Sequence, residues 1–169
     1  MHEIKYGVVM AGGKSTRFGR EKCLLEINNK KLIDIAVGAV SQVLTCIVAI
    51  SPNAPLTARY VMSKYRWMMT PGEGYVEDIR YIMKMLGEPF LTVVCDLPFL
   101  KKDHIIEILS SFKGKSVAGT HRGKYVGINI VATEEEKTHE FNDPLLLIDI
   151  DTPQDYRKTL LNFIDFHKF

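Results

Sequence analysis

Residues 6–22 read YGVVMAGGKSTRFGREK, and within them Lys14, Ser15, Thr16, Arg17 and Lys22 follow the adjacent pair Gly12-Gly13. Donors and cations on a backbone that two glycines let come close to a ligand are what binding a phosphate chain requires. Asp96 is a second candidate, because the apolar run 90–95 delivers it to the tip of an expected strand, ahead of Leu97-Pro98. Magnesium is usually held by one or two carboxylates plus substrate phosphates, so one aspartate placed there suffices. Taken singly, each signal has a plainer explanation. Gly12-Gly13 is also a turn, Arg17 and Lys22 are also surface charges, and an aspartate after a strand is also a turn former.

Two familiar phosphate motifs fail. In G-x-x-x-x-G-K-[ST], Gly7 and Gly12 have the required spacing, but Gly13 stands where lysine is needed, and the four residues between belong to a strand. G-x-G-x-x-G fails because Gly12 and Gly13 are adjacent. Thr92 to Asp96 imitates a Walker B carboxylate, which keeps a P-loop protein as a rival.

The elements that must position these residues follow from apolar spacing. Tyr6 to Met10 is short and valine-rich, as a buried parallel strand should be. Residues 23–27 form a short apolar piece closed by the turn Asn28-Asn29. Leu32, Ile33, Ala36, Val37, Val40, Val43 and Leu44 recur at helical spacing and predict a helix over 31–44. Strands are expected at 46–50, 67–70, 90–95, 116–120, 125–132 and 145–150. Helices are expected at 56–65, from Val76 through Ile79 and Met83 to Leu86, at 102–112 with Ile105, Ile106, Leu109 and Phe112 on one side, and after Asp151-Thr152-Pro153. Polar residues 133–142 read as a solvated loop. Strand alternating with helix argues for a mostly parallel sheet with helices on both faces, and such sheets bind ligands beyond the carboxyl ends of their strands. The loops at 11–22, 51–55, 71–74 and 96–99 all fall there.

Composition bounds the class. The 169 residues suit one domain spanning 1–169, and 46% hydrophobic with 25% charged residues is ordinary for a globular protein. A net charge of +2 gives no reason to expect nucleic acid or a membrane surface as partner. Cys23, Cys46 and Cys95 are odd in number and form no CxxC pair. We therefore expect free thiols and a cytoplasmic, soluble, unprocessed protein.

The window A-G-G-x-S-x-R-F-G-x-x-K, spelled by Ala11, Gly12, Gly13, Ser15, Arg17, Phe18, Gly19 and Lys22, resembles the loop shared by molybdenum-cofactor guanylyltransferases and sugar-nucleotide pyrophosphorylases. The string Cys95 to Leu100 resembles the metal-binding segment of the former. The resemblance implies a Rossmann-like three-layer α/β/α sandwich of the GT-A-like nucleotidyltransferase type. It also implies that Arg17 and Lys22 are catalytic, reaching the phosphates, while Ala11 to Thr16 wrap the nucleotide and Asp96 holds Mg2+. Cations there would stabilise charge that builds as pyrophosphate departs.

Residues 51–57, 72–78, 88–91 and 127–129 bring a narrower resemblance, to archaeal adenosylcobinamide-phosphate guanylyltransferases of cobalamin assembly. It implies GTP and a phosphorylated corrinoid acceptor as partners, with Ser51, Asn53, Gly72, Gly74 and Tyr75 near the base or ribose and Asp78 supporting the loop. Loop architecture explains each of these residues equally well. Two departures stand out. Asp149-Ile150-Asp151-Thr152 replaces the N-x-N-T that commonly precedes the last helix, so Asp151 is expected to cap that helix and Asp149 is left open as a second metal ligand. The region 112–125 is short, and its basic turn at His121, Arg122 and Lys124 either meets the acceptor phosphate or is only a turn. Molybdopterin guanylylation and a non-catalytic GTP-binding module remain as alternatives. Tyr156, Leu160, Phe163, Phe166 and Phe169 read as helix packing, with a homodimer contact left open.

Overall fold

The computed structural model describes residues 3–15 and 18–166, except the side chains of 164–166. In the interior of its sheet lies β1 (Tyr6–Met10), hydrogen-bonded in parallel to β4 (Thr45–Ile50) on one side and β6 (Phe90–Val94) on the other. Its sequence explains that place. Successive strand residues point to opposite faces, and Val8 and Val9 are both fully buried in different apolar clusters, so both faces need a covering layer.

The full order is β5-β4-β1-β6-β8-β7-β9. β5 (Trp67–Met69) closes one edge in parallel with β4. β8 (Lys124–Val131) runs antiparallel to both β6 and β7 (Ser116–His121), and β9 (Glu136–Glu140) lies parallel to β7. A separate hairpin of β2 (Glu26–Ile27) and β3 (Lys30–Lys31) turns through Asn28 and Asn29, both left-handed at φ 51° and 63°. Asparagine tolerates that conformation better than other side chains.

α1 (Leu32–Ser41), α2 (Pro55–Met62) and α4 (Lys102–Ser110) place Ile33, Val40, Val61, Ile105 and Ile108 on the face that carries Val9, Val48, Leu91 and Val93. α3 (Tyr75–Leu86) covers the opposite face, with Ile82 against Val8, Ala49 and Phe90. α5 (Pro153–Phe166) adds Tyr156, Leu160 and Phe163 to a third cluster around Phe18, Leu25, Ile27, Leu32 and Ile150. The result is the expected α/β/α sandwich with a mostly parallel sheet. Because β1, β4, β5 and β6 are mutually parallel, the loops that follow them open on one edge.

Several expected elements differ. Residues 145–150 form no strand: the slot beside β6 is taken by β8, and Pro144–Leu147 is a 3₁₀ turn whose Leu145 amide donates to Asp143 Oδ1 at 3.0 Å. The expected polar loop at 133–142 contains β9, an edge strand whose charged side chains suit exposure. On α3 the buried side is Asp78 and Ile82, leaving Val76 and Met83 exposed, and on α4 it is Ile105 and Ile108 rather than Ile106.

Candidate functional site

The chain leaves β1 where the Ala11 amide donates to Ala49 O at 2.8 Å. Ser51, fully buried at the end of β4, donates its hydroxyl to Gly12 O at 2.6 Å and accepts from the Asn53 amide at 3.2 Å. A Cβ at Gly12 would stand 2.9 Å from the Ser51 side chain, so no larger residue fits while that bond holds. Beyond it Ser15 is left-handed at φ 51°. Its carbonyl accepts from the amides of Phe18 and Gly19, and its Oγ accepts from the Lys22 amide at 3.3 Å. Buried Phe18 anchors this turn against α5, its ring 6.2 Å from that of Tyr156.

Glu21 ties the same loop to α2. Its carboxylate accepts from Thr57 N at 2.7 Å and Leu56 N at 3.1 Å, at a helix start whose N-cap Ala54 has no side chain to offer. An acid there satisfies otherwise orphaned amides and meets the positive end of the helix dipole.

So held, Lys22 sends its ammonium between two carboxylates, 2.9 Å from Asp96 Oδ2 and 3.0 Å from Asp151 Oδ1. Burial works against the Lys22 charge, but Asp96 and Asp151 outweigh it and hold the ammonium above its ordinary range. Asp149 adds a third acid: burial, then the charges of Asp151 and Asp96, push its carboxyl up. Asp96 and Asp151 offer the hard oxygen donors that a divalent cation takes. The expected capping role of Asp151 is overturned. Asp155 does that work: its carboxylate accepts from Thr152 N at 2.8 Å while Thr152 Oγ1 accepts from Asp155 N at 3.2 Å.

A second group gathers around Gly72, whose φ of +73° suits glycine. Its carbonyl accepts from Asn53 Nδ2 at 2.7 Å and its amide donates to buried Asp78 Oδ1 at 2.9 Å, the loop support expected of Asp78. Tyr75 places its hydroxyl 3.3 Å from Asn129 Nδ2.

A cavity of about 500 Å³ joins the two groups. Of the residues singled out in the sequence, Gly12, Gly13, Lys14, Ser15, Lys22, Asn53, Gly72, Gly74, Tyr75 and Asp96 line it. Ala11 and Ser51 do not: both are buried and act as supports. Thr16 and Arg17 lie outside the described residues. No residue of the turn 121–124 lines the cavity. His121 is buried with Nδ1 2.7 Å from Phe141 O, and the Arg122 amide is bonded to Glu140, contacts that fix the shape of the turn.

Sequence reasoning missed Glu21, the Asp151 pairing and, most plainly, the cysteines. Cys23 and Cys95 form a disulfide across 72 residues, overturning the expectation of free thiols, and both line the cavity. Their one visible signal was adjacency to Lys22 and Asp96. Cys46 stays free, its thiol pushed up to about 12 by burial.

Among the described residues no helix is long and apolar enough to cross a membrane. The chain is 39% identical over 114 residues to the adenosylcobinamide-phosphate guanylyltransferase of Methanocaldococcus jannaschii, an alignment covering 62% of this chain and 58% of that protein. It is 29% identical over 99 residues to a probable molybdenum cofactor guanylyltransferase of Peptoclostridium acidaminophilum, covering 58% of this chain and 44% of the relative. The chain thus spans less than two thirds of the length of these relatives. The fold matches that of molybdopterin-guanine dinucleotide biosynthesis protein A from Archaeoglobus fulgidus with a TM-score of 0.70 at 15% identity, over 93% of this chain and 97% of that one. Residues 7–155 match one family along nearly the whole described sheet, and the chain belongs to it: the MobA-like NTP transferase domain family.

Proposed function

We propose that this chain transfers GMP from GTP to adenosylcobinamide phosphate, giving adenosylcobinamide-GDP and pyrophosphate. The observation that carries the reading is the Lys22 ammonium held between Asp96 and Asp151 at the rim of a glycine-walled cavity. The acceptor is chosen by the 39% identity to the Methanocaldococcus jannaschii enzyme.

In this reading the triphosphate lies along Gly12, Gly13, Lys14 and Ser15, and the nucleoside lies against Asn53, Gly72, Gly74 and Tyr75. An acceptor phosphate oxygen attacks the α-phosphorus, and the bond to the β-phosphate oxygen breaks. Lys14 and Lys22, with Arg17, neutralise the charge gathered on the leaving pyrophosphate. The acceptor is already anionic, so no protein nucleophile or general base is needed. Mg2+ is the proposed cofactor. Asp96 and Asp151, largely buried oxygen donors lining the cavity, would hold it, and substrate phosphates would complete its coordination. Bound there, it would neutralise the phosphate oxygens. The proposed compartment is the cytoplasm, where GTP is held.

Molybdopterin is the second acceptor to test, on the strength of the molybdenum cofactor relatives. Incubation with GTP, Mg2+ and each acceptor decides the matter. Pyrophosphate release with adenosylcobinamide phosphate supports the proposal, and release with molybdopterin alone replaces it. Tight GTP binding without turnover would identify a non-catalytic GTP-binding module.

A further inference from the structure

Each half-cystine is the chain neighbour of one of the two charges that meet in the cavity. Cys23 follows Lys22 in the 3₁₀ turn Lys22–Leu24, and Cys95 precedes Asp96 beyond the end of β6. Their Cα atoms are 5.7 Å apart although 72 residues separate them in sequence. Both are 7% exposed and form part of the cavity wall. Cys46, the remaining cysteine, lies on β4 outside that wall.

The segment carrying Lys22 is packed through Cys23 and Leu24 on the main apolar cluster and through Leu25 on the third, but few polar contacts tie it to β6. Its amide reaches Ser15 Oγ at a long 3.3 Å, and Glu21 holds it toward α2 rather than toward β6. Beside the Lys22 and Asp96 charges and apolar packing, the disulfide is the covalent link from this turn to the β6 strand end. It is also a bond that chemistry can open without breaking the chain.

We propose that the Cys23–Cys95 disulfide is a positioning strut of the phosphate site, and that thiol–disulfide exchange at this wall sets the affinity for the nucleotide's triphosphate. This rests on the nucleotide reading of the cavity, though not on the identity of the acceptor. The exchange partner is a small dithiol. One of its thiolates attacks a sulfur of the pair, giving a mixed disulfide and one protein thiolate, which takes a proton. The second dithiol sulfur then closes on the first, releasing the other cysteine as a thiol. The protein disulfide gains two electrons and two protons, and the dithiol is oxidised to a cyclic disulfide. With the strut open, Lys22 keeps its charge but loses its fixed place. Losing a well-placed charge-assisted contact to the phosphates costs on the order of tenfold to a hundredfold in affinity.

The test uses the full chain carrying Cys46→Ser, which leaves only the pair able to react. Intact mass after alkylation reports the redox state, and calorimetry reports the affinity for inorganic triphosphate and for GTP with Mg2+. Reduction by dithiothreitol is expected to weaken both by roughly tenfold to a hundredfold, and reoxidation to restore them. The double variant Cys23→Ser with Cys95→Ser should show the weakened affinity and ignore dithiothreitol. In a Lys22→Ala background the redox effect should largely vanish, an outcome that general loosening of the fold would not produce. Circular dichroism on the reduced protein checks that it remains folded. Equal affinities in both redox states, an undiminished redox effect in Lys22→Ala, or free thiols at both positions in protein alkylated at lysis would each overturn the proposal. If neither redox state transfers GMP to any acceptor while triphosphate affinity still follows the redox state, the functional reading fails and the strut stands.

Discussion

Lys22 has three separate reasons to be where it is: the Ser15 hydroxyl on its amide, Asp96 and Asp151 on its ammonium, and the disulfide beside it. Lys22→Met removes the charge and keeps much of the stem. On the proposed reading it should lower guanylyl transfer by at least about a hundredfold with little change in fold, because the lost interaction would be with charge developing at the phosphates; pyrophosphate release measures it, and full turnover would remove Lys22 from the proposed mechanism. Asp149 makes a different prediction. Its folded-state carboxyl lies above the ordinary 3.8, so the folded protein binds this proton more tightly than the unfolded chain. The resulting stabilisation is complete below that value and is lost as pH rises through the folded-state value. Asp149→Asn should therefore melt higher than the parent at neutral pH in metal-free buffer, with the difference shrinking toward strong acid. A pH-independent difference in melting temperature would assign the effect to something other than ionisation.

At the scale of elements, two helix starts are built in different ways. α5 carries its own cap, Thr152 with Asp155, written locally as T-P-Q-D. α2 borrows Glu21 from the loop after β1, a residue more than thirty positions earlier. Glu21→Ala should leave the Leu56 and Thr57 amides without their partner, costing about 1–2 kcal/mol in denaturant titrations. It should also weaken GTP binding, since the same carboxylate restrains the Lys22 segment. Loss of stability without loss of affinity would confine Glu21 to the helix. Gly72 shows the same economy: one residue receives Asn53 on its carbonyl and anchors its amide on Asp78, so two loops and the start of α3 are tied together.

For the whole molecule, the disulfide also closes a long loop of the unfolded chain. With a sequence separation of 72 between the cysteines, the loop-entropy relation gives about 4 kcal/mol of stabilisation from that constraint. Reduction should lower the melting temperature measurably, and calorimetry in the presence and absence of dithiothreitol checks it. A melting temperature indifferent to reduction would mean that the site and the third apolar cluster hold the loop unaided. That cluster makes the second long connection, joining Phe18 and Leu25 near the glycine loop after β1 to Tyr156 and Leu160 of the last helix.

By itself the sequence determined what is local. Tyr6 to Met10 with Gly12-Gly13 declared a buried strand and a close-approach loop, because apolar run length and the freedom of glycine are properties of neighbouring residues. Thr152-Pro153 declared a helix start for the same reason. Only the tertiary structure decided what depends on strand order. β8 takes the place beside β6, so residues 145–150, apolar enough for a strand, find no partner and form a 3₁₀ turn instead. Asp151 looked like a helix cap from its neighbours, yet it faces an ammonium 129 positions away, and Cys23 faces Cys95 across 72. Neither meeting leaves a trace in spacing, since each joins distant segments that only the folded sheet and the packing of α5 bring to one edge.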